Sequence, residues 1–381
     1  MTGSLSMAYG SVFTLLHDFR EKLGFSETEL GVIVAVGFFA GFIAQVGLAR
    51  FADRGHVRLL VHAGVIVAFV SMFSMAMTDE AWQFTVARFC LGAGTGATGP
   101  AIRRILITRD PANMGANLGK MGAFDIVGFV LGPVMAGVLA EFVNLRAPFV
   151  FMACLYVLLY GWIFRLDLSA GEGTTVKVPV RRLFRSRSFN AGMLGGLAFF
   201  ITIGVFEVSW SLLLGDLGAS TLVIALSIAL FALPMIPLAP FGGRLAQREG
   251  PMRIMPYSIL GAVACMLVYG YVELVWVIIA VSALHAMFDA FTMPAGQLAV
   301  ALSSSSQQAA AAQGLYAAMG LFVAGIASLV GGFAYENWGP EILYAGSSAL
   351  MVVAVGAAVA LGGDLRGPAD RSHPEPASAP S

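Results

Sequence analysis

The sequence predicts an all-α polytopic membrane protein, with twelve transmembrane helices in two six-helix bundles related by a pseudo-two-fold axis. Three observations carry that expectation. The composition is too apolar for water, twelve apolar stretches of membrane-crossing length place their basic residues on one side, and the two halves repeat. Of the 381 residues, 58% are hydrophobic and 12% charged, with a mean hydropathy of +0.82. Soluble domains carry about 25% charged residues, so this chain cannot cover a water-facing surface. That excludes a soluble enzyme, a nucleic-acid binder and a disordered scaffold. The 22 Lys and Arg balance the 22 Asp and Glu, so the position of charge is informative and its sum is not.

A crossing needs about 20 mostly apolar residues. Such stretches run over approximately 4–19, 28–49, 58–77, 81–103, 118–140, 147–166, 189–213, 220–243, 254–271, 274–298, 313–334 and 340–361. The breaks between them hold the Gly, Pro, Asp and Ser of turn chemistry. The first span is the weakest, since its clearly apolar part, Leu5 to Leu16, is only about 18 Å long as a helix. No basic residue precedes it, which points to a start upstream of position 4 or of the given sequence, although a helix from Met1 just reaches across. It lacks the charged head and small-residue exit of a cleavable signal, so it is expected to persist in the mature protein.

The later spans sort the charges. With the N-terminus taken as cytoplasmic, the Lys and Arg residues fall in the loops that follow even-numbered spans, in the 167–188 segment or in the tail. The exceptions are Arg20, Lys22 and Arg146 on the opposite face and Arg88 within the fourth span. Basic residues mark the cytoplasmic side, so both ends are expected inside a cell membrane, and a miscounted span would blur the split. Cys90, Cys154 and Cys265 all lie within spans and imply packing, not a disulfide framework.

The polar, basic segment 167–188 (Lys177, Arg181, Arg182, Arg185, Arg187) divides six spans from six. The expected organisation is an N-terminal bundle over 1–166, a cytoplasmic linker over 167–188, a C-terminal bundle over 189–363 and a disordered tail over 364–381. The halves echo each other. Ala49-Arg-Phe-Ala-Asp53-Arg54 matches Gly243-Arg-Leu-Ala-Gln247-Arg248, and Gly99-Pro100 matches Met293-Pro294, both at an offset of 194; Ala136-Gly137 matches Gly331-Gly332 at 195. Parallel repeats about an axis along the membrane normal place a central site between two rocking bundles, which is transporter architecture.

At these residues the chain resembles the major facilitator superfamily (MFS), over nearly its whole length. The loop Ala49-Arg50-Phe51-Ala52-Asp53-Arg54-Gly55-His56-Val57-Arg58 is similar to the family's signature between helices 2 and 3. Asp53, Arg54 and Arg58 match, Ala49 stands for the leading Gly, and Gly55 is displaced. The second copy keeps Gly243, Ala246, Arg248 and Gly250 but has Gln247 and Pro251. The resemblance implies a gating loop that helps hold the outward-facing state. Read from the residues alone, Asp53 is the one acid in a basic loop and a partner for Arg54, Arg58 or Arg103/Arg104, or the loop is simply solvated.

Two more patterns fall within spans. Arg88-Phe-Cys-Leu-Gly92 resembles a helix-4 pattern whose arginine is linked to proton transfer. Gly128-Phe-Val-Leu-Gly132-Pro133-Val-Met-Ala136-Gly137 is close to the helix-5 pattern typical of drug/proton antiporters, with Ala136 in place of Gly. Physically, small residues every three or four positions let helix backbones approach, and Pro133 can kink the span. Pure packing is the competing reading.

Of the acids, only Asp125, Glu207 and Asp289 lie within spans. A centrally buried acid or arginine costs about 2.5–3.5 kcal/mol on insertion scales, so each should face a wet cavity or a partner. Glu207 has no basic neighbour in its own span, and Phe199, Phe206 and Trp210 flank it. It is the leading residue for proton coupling, against a structural hydrogen bond. Asp289 has His285 four residues earlier on the same face, which makes a relay, a substrate contact or a structural pair; one His and one Asp are too few for a metal site. Asp125 is read as a gate or packing contact more than a substrate ligand. Arg88 is a counter-ion to Glu207 or Asp289, or it snorkels to the outer surface.

No nucleotide-binding Gly-x-x-x-x-Gly-Lys-Ser/Thr loop, nucleophile motif or metal-ligand cluster is present. The resulting expectation is not an enzyme but a proton-coupled (or sodium-coupled) efflux antiporter for small lipophilic or amphipathic compounds. It is expected to act as a monomer in the lipid bilayer, without cofactor, metal or nucleic acid. An uptake symporter and a non-transporting sensor or assembly factor on the same scaffold are the alternatives. The topology is testable with single cysteines in a background lacking Cys90, Cys154 and Cys265. A membrane-impermeant maleimide should label Glu273→Cys in intact cells and Thr174→Cys only after permeabilisation; the reverse pattern would overturn the orientation.

Overall fold

In the computed structural model, residues 1–110, 113–168, 180–304 and 308–368 are described, and all their regular secondary structure is helical. The order is α1 (Thr2–Thr14), α2 (Leu16–Leu23), α3 (Glu27–Asp53), α4 (Val57–Met77), α5 (Ala81–Arg109), α6 (Met114–Phe142), α7 (Ala147–Ile163), α8 (Arg187–Asp216), α9 (Thr221–Glu249), α10 (Pro251–Tyr271), α11 (Val275–Leu302) and α12 (Ala309–Leu361), with two 3-10 turns at Val180–Arg185 and Gly363–Arg366. Eight of these helices are long and apolar enough to cross a membrane. The other crossings are α1 with α2, the arginine-bearing α5 and the 17-residue α7.

α12 supplies two crossings. Gly339, at φ 79°, turns the chain, and Pro340 starts the return; only glycine takes that backbone conformation without strain. The hairpin is visible in its neighbours. The Gln313 side-chain amide donates to Gln297 O at one end, the Thr28 N–H donates to Glu336 at the other, and Gly362 returns to pack on Met252. Exposed Trp82, Trp276 and Trp338 ring the end with the acidic loops, and Trp162 and Tyr257 the end with the basic loops. Aromatic belts of this kind sit at the two membrane–water interfaces. This is a multi-pass membrane protein of twelve helices in two six-helix bundles.

The first crossing differs from the expected single helix. It breaks at Leu15 (φ −97°, ψ 7°), and the backbone groups set free there are taken by the other bundle: Ser211 of α8 donates its hydroxyl to Thr14 O at 2.9 Å and accepts from the His17 N–H at 3.1 Å. Unsatisfied backbone groups are costly in hydrocarbon, so α1 can break only where such a partner stands. Residues 363–366 form a turn with Leu365 buried, and Arg366 donates to Val359 O, so order continues past Asp364. Most of the linker and of the tail lies outside the described residues.

The sequence repeat reappears as the seam between the bundles. Helix α3 crosses α12 where Gly31 meets Gly332, and α6 crosses α9 where Gly137 meets Ala225. Gly31 and Ala225 are 194 residues apart, and Gly137 and Gly332 are 195 apart, so the two crossings are symmetry copies. At Gly332 a Cβ would lie 2.4 Å from Glu27 O and 2.7 Å from the Gly31 Cα. Only backbone fits there. Within the N-terminal bundle, Gly128 and Gly132 bring α6 against Gly3 and Met7 of α1, so the helix-5 pattern serves both packing planes. Gly332→Val should lower the melting temperature of the purified protein by several degrees, the scale of about 1–3 kcal/mol of overpacking. Gly161→Val, which meets nothing within 4 Å, should leave it nearly unchanged; equal effects would refute the crossing argument.

Candidate functional site

Arg88 projects from α5 toward the bundle boundary and is fully buried. Its guanidinium carbon stacks 3.8 Å from the centre of the Tyr9 ring, and Nη2 stands 3.7 Å from Oε2 of Glu207 on α8, in the other bundle. Gly37 of α3 makes the room, since a Cβ there would lie 2.7 Å from Arg88 Nε. The arginine therefore faces inward and does not snorkel. Neither Arg88 nor Glu207 Oε2 makes a hydrogen bond among the described residues, so the two charges face each other without being locked. Loss of one partner from a buried pair costs about 3–5 kcal/mol.

Glu207 also forms part of the wall of a space between the bundles. Two adjoining cavities, of about 360 and 380 Å³, share Ser6, Asp125, Phe129 and Glu207. The first runs past Tyr9 and Thr95 to Gln45, Arg103 and Met121, near the end that carries the basic loops. The second continues between α6, α8, α9 and α11 to Phe199, Phe206, Phe231 and Asp289. Asp125 lies in the wall of both, on the face of α6 that is turned to the space.

Behind that wall sits a polar layer. His285 Nε2 is 3.6 Å from Asp289 Oδ2, and His285 Nδ1 shares a 3.0 Å hydrogen bond with the Tyr269 hydroxyl. Tyr269 packs edge-on against Tyr344, whose hydroxyl pairs with Ser209 at 2.8 Å. Trp210 is fully buried, donates to Ser227 Oγ at 2.9 Å and stacks 4.3 Å from Phe206. Trp210 and His285 thus stand behind the wall, the first stacked on Phe206 and the second beside Asp289. The sequence reading missed Tyr9, Phe231 and Tyr269. Tyr269 sits two residues from its helix end, where an aromatic reads as interfacial, and Tyr9 lies in the weakest span.

The end with the acidic loops is closed by cross-bundle bonds. Arg20 of α2 binds Asp216 of α8 and, in its own bundle, Glu27 at 3.0 Å. Asp216 accepts from the Tyr335 hydroxyl at 2.6 Å, Glu336 accepts from the Thr28 N–H at 2.8 Å, and Asp18 accepts from the Thr221 hydroxyl at 2.7 Å. None of these was singled out as a site residue, although Arg20 is one of three basic residues on that face. Among the described residues, the cross-bundle hydrogen bonds and ion pairs lie in this cluster, apart from Arg88–Glu207 and the two bonds that Ser211 makes to Thr14 O and the His17 N–H. At the opposite end Arg54 and Arg58 are exposed, Arg248 is exposed beside Glu249 at 3.5 Å, and Gly243 packs near Pro294 of α11. The Asp53 side chain lies outside the described residues.

The profile of the Major Facilitator Superfamily matches residues 1–208 and again 192–380. Multidrug resistance protein MdtG of Dickeya zeae is 25% identical over 326 residues, spanning 79% of this chain and 78% of its own. The crystal structure of the nucleoside transporter NupG superposes with a TM-score of 0.79 at 13% identity, covering 94% of this chain and 97% of that one. An inward-facing, unoccupied bacterial homologue of the human lysosomal transporter Spinster gives 0.73 at 14% identity, covering 97% and 95%.

Removing the Arg20 guanidinium should loosen the closed end. Spin labels at Glu80→Cys and Glu273→Cys, on opposite bundles, should show a longer-distance population rise in Arg20→Gln, measured by double electron–electron resonance. An unchanged distribution would mean that Arg20 does not hold the closure.

Proposed function

The chain belongs to the Major Facilitator Superfamily, and on that premise we propose that it exports small lipophilic or amphipathic compounds in exchange for protons, by alternating access. In this reading the basic loops lie in the cytoplasm of the cell in whose membrane the protein sits. The structure is then open inward and closed outward by the Arg20–Asp216 cluster.

The observation that carries the proposal is Glu207, a carboxyl 6% exposed, in the cavity wall and 3.7 Å from an arginine of the opposite bundle. Such a group has two ways to remain in hydrocarbon, as an ion facing Arg88 or as a neutral acid. Only the first attracts the two bundles to each other at mid-membrane, so gain or loss of one proton biases their relative position. A ligand or proton moves a conformational equilibrium only through such a difference in interaction between the two states. In the inward-open form the cavity leads from Glu207 toward the basic-loop end, so a proton released there leaves to the cytoplasm. A compound from the cytoplasm or the inner leaflet takes its place beside the phenylalanine rings. Rearrangement then exposes the same wall to the other side, where the compound departs and Glu207 is protonated again.

The low polarity of the wall supports a lipophilic cargo over a sugar phosphate or a dicarboxylate. The name carried by the relatives and the helix-5 glycine pattern support export over uptake. The test is transport into vesicles with an imposed pH gradient, using a panel of lipophilic compounds. Movement opposite to protons is expected, and Glu207→Gln should reduce gradient-driven accumulation to the level of protein-free vesicles while substrate binding persists. Movement with the protons would reject export, and unchanged coupling in Glu207→Gln would remove that residue from the role.

A further inference from the structure

We propose that the acidic-loop end of the N-terminal bundle carries a seat for one anionic phospholipid, its phosphate between Lys22 and Arg146 and an acyl chain along an apolar floor. The inference goes beyond the export reading and does not rest on it, since this site lies away from the space between the bundles.

The seat is a cavity of about 710 Å³ walled by the ends of α2, α4, α6 and α7. Its floor is hydrocarbon. Phe84 and Phe149 are buried at the back, and exposed Met77, Val150 and Phe151 carry the floor out to the lipid-facing surface. Trp82 stands exposed at the same end, which sets the cavity at the membrane–water interface where lipid headgroups lie. Of the three basic residues at this end, Arg20 is committed to the closure, and the other two, Lys22 and Arg146, both line the cavity. Among the described residues, Asp79 is the one acid in its lining, so the rim is positive on a face that is otherwise acidic.

Hydrogen-bond capacity decides what fits that rim. Arg146 Nη2 donates to both oxygens of Asp79 at 2.8 Å, and the remaining N–H groups of its guanidinium have no partner among the described residues. Lys22 gives one N–H to Asp18 at 2.7 Å and keeps two. The Asn144 oxygen accepts from the N–H groups of Arg146 and Ala147, at 3.0 and 2.9 Å, which leaves its amide as a donor. The rim thus offers donors in excess, and phosphodiester oxygens are acceptors only. Free phosphate would leave the floor bare, and a hydrocarbon chain alone would leave the donors bare. A phospholipid meets both, and a headgroup without its own cation suits a rim that already carries one in excess.

The test titrates delipidated protein in a neutral detergent and counts bound lipid by native mass spectrometry. The probes are phosphatidylglycerol, phosphatidylcholine and diacylglycerol of the same chains, and glycerol phosphate. Phosphatidylglycerol should bind saturably and more tightly than the other three. Lys22→Gln and Arg146→Gln should each weaken it about five-fold, the scale of one basic residue against an anionic lipid. Asn144→Asp keeps the oxygen that caps α7 and replaces the amide donor with a carboxylate, so it should weaken binding at least as much in a folded protein, as melting curves check. Arg253→Gln, exposed at the opposite end, should change nothing. Equal binding of diacylglycerol, of glycerol phosphate or of phosphatidylcholine would overturn the assignment, as would wild-type affinity in Asn144→Asp or an equal loss in Arg253→Gln. No transport is measured, so failure here leaves the export reading standing on its own experiment.

Discussion

A guanidinium cannot sit in hydrocarbon without something to offset it, and the middle of this molecule is arranged around that constraint. Arg88 takes the face of Tyr9 on one side and Glu207 on the other. Because the tyrosine belongs to its own bundle and the glutamate to the other, the offset is shared between two bodies that must move past each other. Glu207 stands where the two cavities adjoin, and the aromatic residues of α8 and α9 continue the wall of the second beyond it. A charge expensive in either bundle alone thus becomes a contact between them.

At two crossings the seam is made of backbone. Gly31 on Gly332 and Gly137 on Ala225 bring helices together with nothing larger than a methyl group between them. Farther along the same pair of helices, Phe39 and Phe42 of α3 pack on the Phe322 ring of α12, so the seam alternates bare backbone with aromatic contact. The duplication shows in these crossings and not in the chemistry. At the repeat offset, Glu207 corresponds to Phe13 and Arg88 to Ser282, so the symmetry of the scaffold survives while the charges are unique to one copy each.

The scaffold was largely legible in the sequence, because hydrophobic length and the positive-charge bias are local properties. The twelve crossings, the 194-residue offset and the three acids within spans all follow from reading along the chain. What was not legible depends on which helix faces which. Arg88 and Glu207 lie 119 residues apart, and no periodicity says that helices four and seven meet. Asp125 faces the cavity because of the rotation of α6 about its axis, which a nearly uniform apolar helix does not record. Trp210 and His285 looked like wall residues from their spacing, yet stand one layer behind, where Ser227 takes the indole N–H and Tyr269 bonds one ring nitrogen of His285. The break at Leu15 was invisible for a related reason: its permission comes from Ser211, in another bundle.

The two ionic links between the bundles differ in wetness. Arg20 and Asp216 keep 18% and 36% of their side chains exposed, whereas Arg88 keeps none. Dissolved salt screens solvated charges over about 8 Å at physiological strength and scarcely reaches buried ones. The electrolyte bathing one face of the membrane is therefore itself a weight on the balance between the protein's states, heavier in dilute media than in brine, and it acts on the rim alone.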